Sequence, residues 1–134
     1  GEGIRDHGEI HAAIARHPSH RKRMAVREAS GREAHTAYRV LERLRGATLV
    51  EARLHTGRTH QIRVHFQHLG HPLVGDATYG ARQNRRLAEL HHFTAERQML
   101  HASELTFTHP RSGRRLSLTA PWPRDFQDAV TALR

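Results

Sequence analysis

Two consecutive runs of alternating residues constrain the fold of this chain more than any other feature. The first run covers residues 34–44, with Tyr38 and Val40 on one side, and the second covers residues 48–54. Alternation with a period of two is typical of β-strands that turn one face to the core and one to solvent. A turn at residues 45–46 separates the runs, so the sequence predicts an antiparallel hairpin of two half-buried strands.

A helix is predicted shortly after this hairpin. Thr59 is a suitable N-cap for a helix over residues 60–69, and Gly70 follows in the C′ position that glycine favours. The apolar positions of this segment repeat with helical spacing and form one stripe that we expect to be buried: Ile62, Phe66 and Leu69.

The remaining patterns predict shorter elements. Residues 9–14 fit a short strand, 85–91 a short helix, 100–106 and 115–119 a second hairpin, and 125–133 a terminal helix. Strand pairs with scattered helices indicate one domain of the α+β class, with a mixed, mostly antiparallel sheet and flanking helices.

The charge of the chain favours a polyanionic partner. It has 22 lysine and arginine residues against 13 aspartate and glutamate residues, a formal net charge of +9, and Lys22 is the only lysine. Arginine binds phosphate oxygens with two N–H groups and stacks on bases, which favours a nucleic acid. An acidic substrate or membrane surface also fits the charge, and codon usage in a GC-rich genome also explains the preference for arginine. A basic turn at residues 16–23 is either a solvated loop or a loop that contacts phosphates.

Two absences restrict the class of protein further. The sequence has no cysteine, which excludes disulfides and thiolate metal sites. It has no apolar run of about 18 residues and no signal-peptide segment. We therefore expect a protein of the cytoplasm with no membrane partner.

The densest group of chemically informative residues follows the predicted hairpin. Gly57 allows a tight turn at a strand end, and Arg58 then stands beside a helix N-terminus, whose free N–H groups attract anions. Arg63 lies one turn into the helix, where its guanidinium can neutralise a carboxylate or phosphate with little reorganisation. Taken alone, this pattern fits either such an anion site or a surface helix with solvated arginines.

This group belongs to a longer pattern. The string T-G-R-T-H-Q-I-R-V-H starts at Thr56, and L-G-H-P-L-V-G-D starts at Leu69, with Y-G at residues 79–80. Together they resemble the C-terminal signature of the RluA-type pseudouridine synthases, which isomerise uridine in ribosomal or transfer RNA. Neighbouring strings agree in order: R-M-A-V, A-H-T-A-Y-R-V-L-E-R, R-Q-M-L-H-A and F-T-H-P. The resemblance covers residues 9–126 and implies a pseudouridine synthase fold and an RNA partner.

The resemblance implies a mechanism whose central residue is not found in this sequence. In the family one aspartate, in an R-L-D-x-x-T-S-G type motif, acts on a uridine flipped out of the RNA. The base is detached, rotated and rejoined to the ribose through carbon, without metal or cofactor. The family's tyrosine beside the base belongs to an upstream motif too, so Tyr38 does not stand in for it. The chain has four aspartates, none of them in such a motif: Asp6, Asp76, Asp125 and Asp128.

One side of the site is carried over by the resemblance. Arg63 matches the arginine that pairs with the catalytic aspartate and favours its ionised form. Ile62 matches an apolar position near the base. Four other residues share the signature, and we expect them to support the site or contact RNA: Arg58, Thr59, His60 and Gln61.

Two further sets of residues invite other roles. Asp76 stands in the family's G-D motif, which accompanies the separate catalytic aspartate, so we expect it to hold its loop through backbone hydrogen bonds rather than to act as nucleophile. His65, His68 and His71 have a spacing that suggests zinc. The last of them lies beyond the helix, and the signature explains all three without a metal.

We therefore expect residues 1–134 to be the C-terminal portion of a pseudouridine synthase catalytic domain, without the portion that carries the aspartate motif. The parent protein is expected to be an RNA pseudouridine synthase, and this chain alone to be inactive. The alternative is a non-catalytic RNA-binding module derived from that family. Because the upstream strands are missing, we also expect exposed sheet edges that associate with the N-terminal part, with another chain or with a second copy.

Overall fold

The predicted hairpin lies in a three-stranded antiparallel sheet in the computed structural model, which describes residues 3–20, 22–108, 111–112 and 114–134. Strands β4 (His35–Arg43) and β5 (Thr48–Leu54) pair as expected, with a register shift after Val40. Strand β1 (His7–His11) pairs with the other edge of β4. The sheet order is β1-β4-β5, so the prediction of two adjacent antiparallel strands is confirmed.

Residues 9–14 were expected to form one strand, but they belong to two strands. After β1 the chain leaves β4, and β2 (Ile14–Arg16) pairs with β3 (Met24–Val26) in a separate two-stranded sheet. The basic turn of the sequence connects these two strands, with one of its members, at position 21, outside the described residues. Alternation in the sequence continues through the bend, which is why periodicity did not reveal it.

Helix α1 (Gln61–His68) is shorter than predicted and begins differently. Its N-cap is His60, in the left-handed region at φ 54°, and no side chain caps the helix, so the prediction of Thr59 as N-cap is wrong. Leu69 is the C-cap and is 37% exposed, because the helix ends one residue before it, so the predicted stripe is only partly buried. Gly70, at φ 84°, ends the helix as expected.

The later elements largely follow the sequence patterns. Helix α2 (Ala81–His91) starts four residues before the predicted start, and strands β6 (Glu104–Thr108) and β7 (Arg115–Thr119) form the second hairpin. Its turn includes positions 109, 110 and 113, which lie outside the described residues. Helix α3 (Arg124–Leu133) confirms the predicted terminal helix. None of the helices in the described ranges is long and apolar enough to cross a membrane.

Helix α3 packs at the turn of the central hairpin. The backbone N–H of Arg45 donates to the carbonyl of Leu133 at 2.6 Å, and its guanidinium donates to Ala132. Arg134 forms a two-pronged ion pair with Glu42, at 2.9 and 3.2 Å. These contacts join segments that are far apart in sequence, separated by 92 residues for the last pair.

The core contains two apolar clusters, and α1 contributes to both. Phe66 packs with the inward residues of β1 and β4, including Ile10 and Tyr38, while Val64 packs with Ile14 and neighbouring residues. The α+β class with flanking helices is confirmed, and all strand pairs between described residues are antiparallel and divided among three sheets.

A chain of buried hydrogen bonds joins α1 to the sheet. Gln61 Nε2 donates to Thr36 Oγ1 at 2.9 Å, and Thr36 Oγ1 lies 2.8 Å from His65 Nδ1. His65 Nε2 lies 2.8 Å from the carbonyl of Ala12. A carbonyl can only accept, so Nε2 carries the proton and Nδ1 accepts from the hydroxyl of Thr36. With His65 neutral, each donor in this series of hydrogen bonds therefore has an acceptor.

Protonation of His65 is unfavourable in the folded protein. Burial lowers the pKa of its imidazole below the usual value, against the opposing hydrogen bond to Ala12. The unfolded chain takes up this proton near pH 6.5, and the folded chain does so only at lower pH. The unfolded state then binds more protons in that window, so the stability conferred by neutral His65 is present above about pH 6.5 and is lost as the pH falls below it.

We predict that His65→Gln removes part of the pH dependence of stability. The free energy of unfolding, measured with urea between pH 5.5 and 7.5, should vary less with pH than that of the wild type. At pH 7.5 the variant should be about 1–3 kcal/mol less stable, because buried partners lose hydrogen bonds. The control is His7→Gln, at an exposed position of β1. An unchanged pH slope in His65→Gln would contradict the assignment.

Candidate active site

The segment between β5 and α1, residues 55–60, is the signature loop. It is held in place by the side chain of Gln61, which is 3% exposed. Its Oε1 accepts from the hydroxyl of Thr56 at 2.6 Å and from the backbone N–H of Arg58 at 3.0 Å. Its Nε2 donates to the carbonyl of His35 and to Thr36. Gln61 thus holds this loop against the start of β4.

The other signature residues before Arg63 have different environments. Arg58 Nε donates to the carbonyl of Glu33 at 2.7 Å, which fixes part of its guanidinium. Thr59 is exposed. His60 Nδ1 lies 2.9 Å from the hydroxyl of Tyr79, and burial, together with the charge of Arg63, lowers the pKa of its imidazole. Ile62 is half-buried and packs against the first core cluster.

Arg63 is held by Asp76 in a bidentate ion pair. Its Nε donates to Asp76 Oδ2 at 2.8 Å and its Nη2 to Oδ1 at 3.0 Å. The Asp76 side chain is fully buried and the Arg63 side chain is 15% exposed. The guanidinium carbon also lies 5.0 Å from the centre of the Tyr79 ring, within range of a cation–π interaction. Arg63 is therefore fixed in position, with a small part of its side chain exposed.

Asp76 also organises the loop that follows α1. Its Oδ1 accepts from the backbone N–H groups of Thr78 and Tyr79, at 3.1 and 3.0 Å. Burial alone would raise the pKa of this carboxyl, but the hydrogen bonds from Arg63 and the two backbone groups outweigh it, so the pKa lies below its usual value. A buried carboxylate with these partners holds a loop, which is the role expected for Asp76.

Two residues that the sequence interpretation left without a role complete the site. The hydroxyl of Tyr79 accepts from the backbone N–H of Met24 at 2.9 Å and so joins β3 to the loop and to His60. Asn84 Oδ1 accepts from the N–H of Gly75 at 2.7 Å. Gly75 has φ 83°, and a Cβ there would collide with the carbonyl of Arg97. The G-D-x-x-Y spacing, with a polar residue five positions on, was the available signal for both residues.

A cleft of about 300 Å³ opens beside Tyr79. The basic turn contributes His17 and Arg23, and α1 contributes Gln67 and His68. Donors from two elements thus face the same space as the Tyr79 ring. The basic turn therefore lies beside α1 and Tyr79, although the sequence patterns did not connect these segments.

The zinc interpretation of His65 and its neighbours is not supported by the geometry. Both ring nitrogens of His65 are occupied, by Thr36 and by the carbonyl of Ala12. Among the residues that the structure describes, the one group within reach of a common metal ion lies elsewhere, at Glu9, His11 and His35.

Sequence comparison identifies relatives of this chain. A family model described as RNA pseudouridylate synthase matches residues 2–68. Ribosomal large subunit pseudouridine synthase D of Xanthomonas campestris pv. campestris is 48% identical over 134 residues, covering 95% of this chain and 40% of that protein. The protein of the same name from Nitrosomonas europaea is 46% identical over 127 residues, covering 95% of this chain and 37% of that protein. The chain therefore spans about two fifths of the length of these relatives.

Solved structures agree with this relationship. The structure titled Human RNA Pseudouridylate Synthase Domain Containing 1 matches with a TM-score of 0.71 and 32% identity, over 92% of this chain and 51% of that chain. The family model, the relatives and this fold lead to one assignment. The chain belongs to the RNA pseudouridylate synthase family, and within it to the RluA type that its signature predicted.

Proposed function

We propose that this chain forms the arginine-bearing side of the active site of an RNA pseudouridine synthase that isomerises uridines in ribosomal or transfer RNA. Residues 1–134 are then the C-terminal portion of the catalytic domain. The nucleophilic aspartate comes from a segment outside these residues, because none of the four aspartates stands in the R-L-D-x-x-T-S-G motif. The chain alone is inactive on this proposal. We also propose a cytoplasmic location for it.

The geometry of Arg63 is the observation that carries this proposal. Its hydrogen bonds to described residues use Nε and Nη2, on one side of the guanidinium. A guanidinium has five N–H donors, so the other side remains for a second carboxylate. The ion pair with Asp76 orients these donors before that carboxylate arrives, and little reorganisation is then needed.

A second carboxylate beside Arg63 would have the properties that the reaction needs. The nucleophile must be ionised to attack, and a neighbouring guanidinium lowers the pKa of a carboxyl. Arg63 therefore acts by keeping the catalytic aspartate charged and oriented. Ile62 supplies apolar surface close by, which suits a base that has left the RNA stack.

RNA contacts are assigned to the surface around this site. The cleft beside Tyr79 is lined by Arg23 and His17 from the basic turn, and Arg58 and Thr59 lie on the adjacent loop. The net charge of +9 favours binding to phosphates through counterion release. We assign the phosphate-contacting role to the basic turn on this ground.

Association with the N-terminal part is supported by two features of the sheet. Among the described residues, β1 and β5 each pair only with β4, so each leaves one edge unpaired. Leu54, on β5, and Leu41, on β4, are 52% and 46% exposed. Unpaired strand edges and exposed apolar side chains favour further pairing, with the N-terminal part or with a second copy.

The second candidate function is a non-catalytic RNA-binding module. It is favoured by one observation, the absence of the aspartate motif from the 134 residues. Both functions require RNA binding, and they differ in whether this chain supports catalysis when the motif is supplied.

We predict that a chimera will be active. In it, this chain replaces the matching part of the Xanthomonas relative, whose remaining segment supplies the rest of the enzyme. The chimera should form pseudouridine in large-subunit ribosomal RNA transcripts, measured by mass spectrometry, while the isolated chain should not. In the chimera, Arg63→Gln/Asp76→Asn should lower the rate by about 100-fold, because the nucleophile loses its orienting partner.

The matched control is the single variant Asp76→Asn, which keeps the guanidinium and a hydrogen-bonding side chain in the loop. It should retain activity within about 10-fold of the parent chimera. A second control, Arg124→Ala, changes an exposed arginine of α3 and should have no effect. A folded chimera that binds RNA without forming pseudouridine would favour the binding module. Activity of the isolated chain that disappears in Asp76→Asn would make Asp76 the nucleophile.

We predict that Arg23 contacts an RNA phosphate. Arg23→Gln should lower the slope of log K against log salt concentration by about 0.7–0.9, the value for one phosphate contact. The measurement is fluorescence anisotropy with a labelled ribosomal RNA fragment at several KCl concentrations, and Arg124→Gln serves as the control. If both variants keep the wild-type slope, the basic turn is a solvated loop.

A further inference from the structure

Three histidines form a row across the three-stranded sheet, one on each strand or directly after it. His11 of β1 lies opposite His35 of β4, and the register of β4 and β5 places His55 next to His35 on the other side. The N–H of His55 donates to the carbonyl of His35 at 3.0 Å. The rings of His11 and His35 stack at 3.9 Å, and those of His35 and His55 at 4.2 Å.

The backbone fixes the direction of this histidine row. Successive side chains on a strand point to opposite faces. Thr36 is fully buried and faces α1, so His35 points to the outward face, away from the chain of buried hydrogen bonds. His11 follows the buried Ile10 in the same way. The histidine row therefore lies on the side of the sheet opposite α1, which carries Arg63.

A carboxylate completes the group. Glu9 precedes His11 by two residues on β1, which places both side chains on one face. Its Oε1 lies 3.1 Å from His35 Nε2. Glu9, His11 and His35 each offer one ligand atom, and these atoms all lie within 4.8 Å of one another.

We propose that Glu9, His11 and His35 bind one Zn²⁺ or a chemically similar divalent transition-metal ion on the outward face of the sheet. Two imidazole nitrogens and one carboxylate oxygen suit zinc, cobalt or nickel, whereas magnesium and calcium prefer oxygen ligands alone. Three protein ligands leave a fourth position for water. The site is separate from the proposed active site and does not depend on the proposed function.

To hold the ion, the ring of His11 has to turn out of its stack on His35, because the two rings lie 22° from parallel and imidazole lone pairs lie in the ring plane. Ligand atoms of tetrahedral zinc lie about 3.3 Å apart, given metal–ligand distances of about 2.0–2.1 Å. The side chains of Glu9 and His11 are exposed, so they can move inward without disturbing the core. His55 is not a ligand in this proposal. It stacks on the far side of the His35 ring and holds that ring in place.

The positions of the ligands on paired strands have a consequence for stability. A bound ion would connect β1 with β4 at the end of the sheet from which the signature loop leaves. An ion that binds the folded chain and not the unfolded one raises the midpoint of thermal unfolding. The full chain should therefore unfold at a higher temperature in the presence of Zn²⁺ than in the presence of a chelator.

The test uses Co²⁺ and Zn²⁺ with the full 134-residue chain. Titration with Co²⁺ should give visible absorption bands of a four- or five-coordinate ion that saturate at one equivalent, and Zn²⁺ should displace them. Glu9→Gln and His11→Asn should each weaken binding by at least about 10-fold, because each removes one of three ligands. His7→Asn, on the same strand and the same exposed face, should bind like the wild type.

Histidine ring resonances in NMR spectra provide the second measurement, made on the wild type. Sub-stoichiometric Co²⁺ should shift and broaden those of His11 and His35 first. Circular dichroism establishes that each variant is folded. The proposal is wrong if binding does not saturate at one equivalent, if folded Glu9→Gln and His11→Asn bind Co²⁺ like His7→Asn, or if other histidines respond first.

Discussion

The buried side chain of Gln61 is the constraint on which the rest of the structure depends. An amide can accept with its oxygen and donate two protons, and Gln61 uses all of this capacity within the protein. Its partners belong to the signature loop and to the start of β4, so one side chain at the first position of α1 sets the relation of helix, loop and sheet. Such fully satisfied buried networks specify one arrangement, since each unpaired group would cost free energy.

The ion pair of Arg63 and Asp76 depends on the position of α1, which carries both Gln61 and Arg63. Placing two charges in a buried site costs desolvation energy, which close geometry and additional hydrogen bonds must offset. Asp76 has these in the backbone N–H groups of its loop, and Arg63 has the ring of Tyr79 beside it. The result is a guanidinium whose position is fixed by the fold. An enzyme that must keep a carboxylate ionised benefits from such a fixed partner, because the partner does not have to move during the reaction.

The sequence predicted the parts of this fold that local patterns encode. Alternation identified β4 and β5 correctly, and Gly70 marked the end of α1, because both signals act within a few residues. Thr59 was the wrong cap because the helix begins one residue later, after His60 in the left-handed region, and no side chain caps it. The side chain of Gln61 instead binds the preceding loop through the backbone N–H of Arg58.

Contacts between distant segments account for what the sequence did not predict. Arg63 and Asp76 were each singled out, but the loop that brings them together has no periodicity. Tyr79 was visible only as part of a string, since its partners Met24 and His60 lie on other elements. The histidine row required the register of three strands, which follows from the whole sheet.

The attachment of α3 to the central hairpin affects the order in which the protein folds. The hairpin joins neighbouring residues and closes a short loop, whereas the contact of Arg134 with Glu42 spans 92 residues. Closing a longer loop costs more chain entropy, so local pairs form first and distant ones later. On the ribosome, β4 and β5 are synthesised well before α3 and can pair while its residues are still being added. Leu87 and His91 of α2 lie beside Gly46 and cover part of the turn before α3 is made, whereas Glu42 gains its ion-pair partner only when synthesis reaches Arg134.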